Sequence, residues 1–119
     1  MNPRETSKRL VEALSRYGNI LILIKGSPDP DVIASSFALK AVCDHLKIRS
    51  SMVALSEISH PQNRAIVKTL DIPLVIEKAP PSPHGFDAYA VLDFQSAYTR
   101  GLSEKLPCAV HIDHHAETD

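Results

Sequence analysis

Two periodicities alternate along this chain, and together they predict alternating helices and strands. Between residues 3 and 17 an apolar side chain recurs every three or four positions, which predicts a helix that Pro3 begins and Gly18 ends. Residues 20–24 instead form a continuous run of isoleucine and leucine, which is typical of a strand buried on both faces. The first two predicted elements are therefore a helix and a core strand.

The same patterns predict the rest of the chain. The expected elements are a helix over 32–47, a strand over 49–55, a helix that begins at Pro61, strands over 73–76 and 88–92, a helix near 96–104 and a last strand over 109–112. In the helix that begins at Pro61, we expect Ala65, Ile66 and Leu70 to face the core. The proline-rich stretch 78–86 is expected to be an exposed loop.

Strands separated by helices imply right-handed crossovers and hence a mostly parallel sheet. The expected fold class is α/β with three layers, a sheet of about five strands and helices on both of its faces. A length of 119 residues allows one domain with a single core and leaves no room for a second domain.

Composition removes several classes of function. Hydrophobic residues make up 44% of the chain, charged residues make up 23%, and the net charge is −1, which argues against a disordered chain and a basic nucleic-acid binder. The longest purely apolar run, residues 20–24, is far too short to span a membrane. Cys43 and Cys108 show no metal-binding spacing and are expected to be buried and reduced, so we expect a cytoplasmic protein.

Acidic residues follow three of the predicted strands. Asp29 and Asp31 come after the first strand, Asp93 after the fourth, and Asp-His-His at 113–115 after the fifth. Because ligands of parallel sheets bind at the carboxyl ends of the strands, we expect these side chains to meet at one edge. Carboxylate and imidazole together suit a divalent ion such as Mn²⁺ better than Zn²⁺ or Ca²⁺. The sequence therefore predicts a metal site for phosphoester hydrolysis.

Each motif also has a plain structural interpretation. Asp29 would be the N-cap of the following helix, with Pro30 at the first helical position and Asp31 near the positive end of the helix dipole. Asp93 would likewise cap a helix, and the histidine pair would be solvated turn residues. The joint occurrence of the motifs favours the metal site, since all three follow predicted strand ends.

Three segments, in order, resemble the first three motifs of the DHH phosphoesterase superfamily. They are SPDPDVIAS at 27–35, VLD at 91–93 and IDHH at 112–115, so the resemblance spans about residues 20–115. This superfamily includes the exonuclease RecJ, oligoribonuclease/pAp phosphatases, cyclic dinucleotide phosphodiesterases and manganese inorganic pyrophosphatases. The resemblance implies the fold and the chemistry of a metal-dependent phosphoesterase and says less about its substrate.

The resemblance also implies the metal ligands. Asp93 would bridge two Mn²⁺ ions, with Asp29 on the first ion and with Asp31 and His114 on the second, and Mg²⁺ would suit the same ligands. Two such ions activate a water molecule and neutralise the phosphoryl oxygens during attack.

The catalytic residues implied by the resemblance are His115 and Asp113. His115 would face the substrate phosphate, and Asp113 would orient its neighbours. Lys25 stands where the family usually has a histidine, so the first ion would lose a ligand, because a protonated amine cannot bind metal. Lys25 would instead bind the substrate phosphate or be an ordinary surface lysine.

The resemblance is incomplete. Ala34 stands where the family usually has glycine, and the family's fourth-motif aspartate and its C-terminal substrate-binding domain do not occur in the sequence. We therefore expect residues 1–119 to be the N-terminal portion of a DHH domain from a longer protein and to be inactive alone.

Two functions fit these residues. The first is a Mn²⁺-dependent phosphodiesterase or phosphatase that acts, in the full-length protein, on short oligonucleotides, pAp or a cyclic dinucleotide. The second is a regulatory module that senses nucleotide or metal without turnover, which Lys25 favours. A response-regulator receiver domain is disfavoured, because the last strand of such a domain leads to a lysine, whereas the last predicted strand here leads to Asp-His-His. The expected partner is a phosphate-containing small molecule or short single-stranded nucleic acid, with no membrane, and an open edge strand would allow a homodimer.

Overall fold

A computed structural model describes residues 3–26, 28–58, 60–79, 81–92 and 98–112 of the chain. These residues form three helices and five strands. In chain order they are α1 (Pro3–Leu14), β1 (Asn19–Ile24), α2 (Pro30–His45), β2 (Arg49–Ala54), α3 (Pro61–Thr69), β3 (Leu74–Ile76), β4 (Ala88–Leu92) and β5 (Cys108–Ile112).

The five strands form one sheet in which every neighbouring pair is parallel. The strand order is β3-β2-β1-β4-β5, so β1 lies in the middle, and β3 and β5 are the edges. This arrangement confirms the predicted α/β class and the parallel sheet of about five strands.

Alternate residues of β1 contribute to two cores on opposite faces of the sheet. Ile22 lies in a cluster with side chains of α1, α2 and α3. Leu21 and Leu23 lie in a second cluster with Leu102, which belongs to the segment after β4. Side chains of a strand point alternately to the two faces, which explains why residues 20–24 include no polar position. Among the described residues, all three helices pack on the first face of the sheet, and the segment 98–107, where a helix was predicted, forms the layer on the second face.

The observed bounds follow the predicted ones closely. The strands agree with prediction to within one residue, and α2 begins two residues early, at Pro30. α1 ends at Leu14 rather than at residue 17, because the backbone tightens there and the Tyr17 amide donates to the Leu14 carbonyl at 3.1 Å. In the described parts of the chain, no helix is long and apolar enough to cross a membrane.

The helix predicted near 96–104 is wrong over its described residues, 98–104. The chain there makes a series of turns, in which the amides of Leu102 and Ser103 both donate to the Thr99 carbonyl, at 3.0 and 2.9 Å. Gly101 has a φ of +88°, a left-handed conformation that an α-helix does not contain. The conformation of this glycine therefore interrupts the helix that the sequence pattern suggested.

The side of α3 that faces the core is not the predicted one. Ile66 and Leu70 are 39% and 59% exposed, and Ala65 is exposed as well. Asn63 and Val67, one turn apart, face inward instead. The prediction was wrong because a helix of 9 residues has too few apolar side chains to define which side is buried.

The two cysteines differ in exposure. Cys43 is buried in α2, as predicted, and desolvation raises the pKa of its thiol. Cys108 is exposed, so the prediction that it is buried was wrong. It opens β5, which pairs among the described residues with β4 alone and whose residues are all exposed or half-buried. An edge strand has one side without a neighbour, which the apolar pattern of its sequence does not reveal.

Candidate functional site

The carboxyl ends of three adjacent strands lie at one edge of the sheet. Leu23 of β1 pairs with Val91 of β4, and Leu92 of β4 pairs with Ile112 of β5. From β1 the chain crosses to β2 on one side, whereas β4 lies on the other side of β1, so the direction of winding reverses between β1 and β4. Ligand sites of open α/β sheets lie outside the carboxyl ends of the strands at such a switch point.

Asp29 lies at this edge, between β1 and α2, and caps the helix. Its φ and ψ are −94° and 172°, and its Oδ1 accepts a hydrogen bond from the Val32 amide at 2.9 Å. The Asp29 carbonyl accepts another from the Ile33 amide at 3.0 Å. With Pro30 at the first helical position, the capping interpretation is therefore correct for Asp29.

Capping occupies one oxygen of this carboxylate. No group among the described residues donates to Oδ2 of Asp29, and both Asp29 and Asp31 are exposed. Asp31 lies in the first turn of α2, where the helix dipole favours a negative charge. The connection thus presents two carboxylates that are open to a ligand, one of them fixed by a backbone hydrogen bond.

Lys25 is the first residue after β1, and its side chain crosses to the segment that follows β4. The Nζ atom donates a hydrogen bond to the Tyr98 carbonyl. Desolvation by partial burial lowers the pKa of the amine. Lys25 is therefore engaged with the protein and is not an ordinary solvated surface lysine, whereas its contact with a substrate phosphate stays a prediction.

Tyr98 is a residue at this edge that sequence reasoning missed. Its side chain is 56% exposed, and its hydroxyl donates to Glu104, which also accepts from the Gly101 amide at 2.8 Å. The hydrogen bond with Glu104 raises the pKa of Tyr98, and the same bond lowers the pKa of Glu104. No sequence signal indicated this pair, because a turn rather than a repeating element joins residues six apart.

The other predicted site residues lie outside the described residues. They belong to the second and third motifs and are Asp93, Asp113, His114 and His115. Within the described residues, no group of three or more His, Cys, Asp and Glu side chains is placed to hold a metal ion. Of the predicted ligands, the structure thus locates Asp29 and Asp31, two carboxylates of the kind that suits Mn²⁺ and Mg²⁺.

Comparison with known proteins adds little to this chemistry. No family model and no solved structure matches the chain. The chain is similar to a protein of Methanocaldococcus jannaschii that is named "Uncharacterized protein MJ1633". The two are 32% identical over 103 residues, which make up 84% of this chain and 20% of the relative. The chain thus spans about a fifth of the length of a relative whose name states no activity.

Proposed function

We propose that this chain belongs to a cytoplasmic, Mn²⁺-dependent phosphoesterase of the DHH type, which hydrolyses short oligonucleotides, pAp or a cyclic dinucleotide. The observation that supports this most is the strand order. It makes the carboxyl ends of β1, β4 and β5 neighbours at a topological switch point. In the sequence, an acidic motif follows each of these three strands. Motifs that follow neighbouring strand ends are what a shared metal site requires.

The proposed metal ligands are Asp29, Asp31, Asp93 and His114. Bound Mn²⁺ would supply a water of lowered pKa and positive charge beside the phosphoryl oxygens. The chain's own contribution is to hold its donors still. The Val32 amide restrains Oδ1 of Asp29 and leaves Oδ2 without a donor among the described residues, so a single carboxylate would both cap the helix and bind an ion.

Two further residues would act on the substrate side of the ions. His115 would contact the phosphate that is attacked, and Asp113 would orient the histidines that follow it. In the sequence, Asp113 directly follows β5 and His115 comes two residues later. The last residue of β5, Ile112, pairs with the last residue of β4. This register supports a common position for the second and third motifs beside one phosphate.

Lys25 supports a second candidate function, a regulatory module that binds nucleotide or metal without turnover. Its amine stands where the family has a histidine, and the hydrogen bond to the Tyr98 carbonyl holds it at the carboxyl edge. A cation there repels a metal ion across a few ångströms of partly screened medium. In this alternative, the same edge binds a nucleotide, and the weakened first ion leaves it unable to hydrolyse the phosphoester.

Binding of Mn²⁺ tests the site that both functions share. Calorimetric titration at neutral pH should show weak binding by the chain, weaker binding by Asp93→Asn and tighter binding by Lys25→His. Asp44→Asn is the matched control, because Asp44 is an exposed carboxylate near the other end of α2, paired with Lys40 at 3.5 Å. Equal affinities of the chain and Asp93→Asn would contradict the metal site.

Hydrolysis separates the two functions. With Mn²⁺ present, the longer relative from M. jannaschii should release nucleotide from short RNA, pAp or a cyclic dinucleotide if the phosphoesterase proposal holds. Nucleotide binding by the relative without release would favour the regulatory alternative. Residues 1–119 alone should not reach an enzymatic rate, because the family's fourth-motif aspartate and substrate-binding domain, which position the reacting groups, do not occur in them.

A further inference from the structure

The helices α2 and α3 enclose an apolar groove. Its volume is about 400 Å³, which lies within the range of small-molecule sites. Among the residues that line it are Phe37 and Ala41 of α2, Ile66 of α3 and Leu70, which directly follows α3. Phe37 and Ile66 are 37% and 39% exposed, so large apolar side chains remain open to solvent here. Exposed apolar surface that is contiguous in this way is typical of a binding site.

A single polar side chain, that of Asn63, is found among the described residues that line the groove. Asn63 is 7% exposed, so the residue is largely buried in the wall of the groove. Its side-chain amide carries both a donor and an acceptor, so a ligand in the groove with a matching pair would hydrogen-bond it.

The polar end of the groove lies at the carboxyl edge of the sheet. Asn63 is in the first turn of α3, which follows β2, and Pro30 begins α2, which follows β1. Pro30 also directly follows Asp29, the helix cap and proposed metal ligand. A ligand in the groove therefore has its polar contact at the edge where the proposed phosphate chemistry takes place.

We propose that this groove binds the adenine base of the nucleotide, an inference that rests on the proposed function. The Asn63 amide offers a donor and an acceptor, the pair that matches N7 and the N6 amino group of adenine. Phe37 offers an exposed aromatic ring on which a base can stack. The phosphate would then extend out of the groove toward Asp29 and Asp31.

The charge of the lining supports a base more than other ligands. No charged side chain is found among the described residues that line the groove. An anionic phosphate would be poorly solvated there, whereas a planar, uncharged base would bury its faces against apolar side chains. A second copy of the chain is the competing occupant, since Leu70, at 59% exposed, could equally become part of an apolar interface.

Titration of the chain with adenosine, without Mn²⁺, tests the proposal. Adenosine should shift the NMR amide resonances of Phe37, Asn63 and Ile66 and bind about tenfold more tightly than 7-deazaadenosine, which lacks the N7 acceptor that Asn63 would contact. Asn63→Leu should lose this preference and bind adenosine about tenfold more weakly. Gln62→Leu, which changes an exposed residue next to Asn63, should keep both.

Several results would overturn the proposal. The first is that adenosine does not bind, and the second is that Asn63→Leu binds adenosine as tightly as the unchanged chain does. The third is a dimer, seen by sedimentation, that Ile66→Arg dissociates, because such a dimer would assign the groove to a second copy of the chain. If Asn63→Leu does not fold, Phe37→Ala replaces it, because this variant removes the proposed stacking ring at a partly exposed position. Phe37→Ala should bind adenosine more weakly than the unchanged chain, and equal binding would overturn the proposal. Adenosine binding without Mn²⁺ binding would contradict the proposed metal chemistry alone, and Mn²⁺ binding without adenosine binding would contradict the base site alone.

Discussion

The connections that follow β1 and β2 end at the same edge of the sheet and lead to helices that both begin with proline, yet they start those helices differently. Before Pro30, Asp29 accepts a hydrogen bond from the Val32 amide through its side chain. Before Pro61, His60 has similar extended backbone angles and makes no side-chain capping hydrogen bond. α3 forms nevertheless, so a helix at this edge does not require a carboxylate cap.

The residues that leave the two strands differ as well. After β2 comes Leu55, whose amide donates to the Ile24 carbonyl at 3.1 Å and whose side chain packs against the second core. After β1 comes Lys25, whose amine donates to the Tyr98 carbonyl. The two connections therefore differ in charge at matching positions, with Lys25 and Asp29 in the first and Leu55 and His60 in the second. The proposed metal site would use this difference, and the variants below test it.

The largest expected effect is on the free energy of unfolding, and it distinguishes β1 from β2. Leu21 and Ser51 are partners in the register of β1 and β2, but Leu21 is fully buried and Ser51 is exposed. Leu21→Ala should lower the free energy of unfolding by about 2–5 kcal/mol, because it leaves a cavity in the core. Ser51→Ala should change it by less than about 0.5 kcal/mol. Urea denaturation measures both, and similar values would contradict the burial of β1.

The next effect concerns Mn²⁺ affinity. Asp29→Asn keeps an oxygen that can cap α2 but removes the negative charge, so it should weaken Mn²⁺ binding by at least about tenfold. His60→Asn, at the same position of the β2–α3 connection, should leave the affinity unchanged. Titration calorimetry decides between them. Equal losses in both variants would mean that the two connections do not differ in metal binding.

Helix capping should separate the connections by about 1 kcal/mol. Asp29→Ala removes the acceptor of the Val32 amide and should lower the free energy of unfolding by about that amount, whereas Asp29→Ser should retain most of it. His60→Ala should cost much less, since His60 makes no such bond. Chemical denaturation of the three variants would contradict the comparison if His60→Ala cost as much as Asp29→Ala.

Adding a cap to α3 should make the two connections more alike. His60→Asp supplies a carboxylate at a position whose backbone is already extended, so it should raise the free energy of unfolding by about 0.5–1 kcal/mol. His60→Leu controls for loss of the imidazole alone. A thermal shift no larger than that of His60→Leu would mean that the N-terminus of α3 cannot accept a cap.

The smallest expected effect is a pH dependence from Lys25. The folded state lowers the pKa of this amine below its usual value, so in the alkaline range below that value the unfolded chain binds more protons. The free energy of unfolding should therefore rise with pH there, relative to Lys25→Leu, which introduces the residue type found after β2. The difference is small because the side chain is only partly buried. Urea denaturation of the chain and of Lys25→Leu from about pH 8 to pH 10 measures this pH dependence. Lys78→Leu is the control, because Lys78 is exposed. A difference in free energy of unfolding between the chain and Lys25→Leu that does not change with pH would contradict the prediction.

Local patterns were enough to predict most of the fold. Residues 20–24 and 88–92 are strands as predicted, and Pro61 begins α3 as predicted, because burial of a strand and the start of a helix are visible over a few neighbouring residues. The same patterns placed Asp29 after a strand and before a helix, and both of its interpretations, cap and ligand, follow from that position. The metal site, with Asp29, Asp31, Asp93 and His114 as its ligands, stays a prediction.

By itself, the sequence determined the α/β class, the strands and the starts of α1 and α3, because these depend on residues two to four apart. Only the tertiary structure decided which side of α3 is buried and that the chain turns at Gly101. It also decided that Lys25, which follows β1, contacts Tyr98 in the segment that follows the neighbouring strand β4. Such features depend on residues far apart in the sequence, whose packing overrides local preference. For the same reason the groove that Asn63 lines was not predicted, since it forms only where two helices meet.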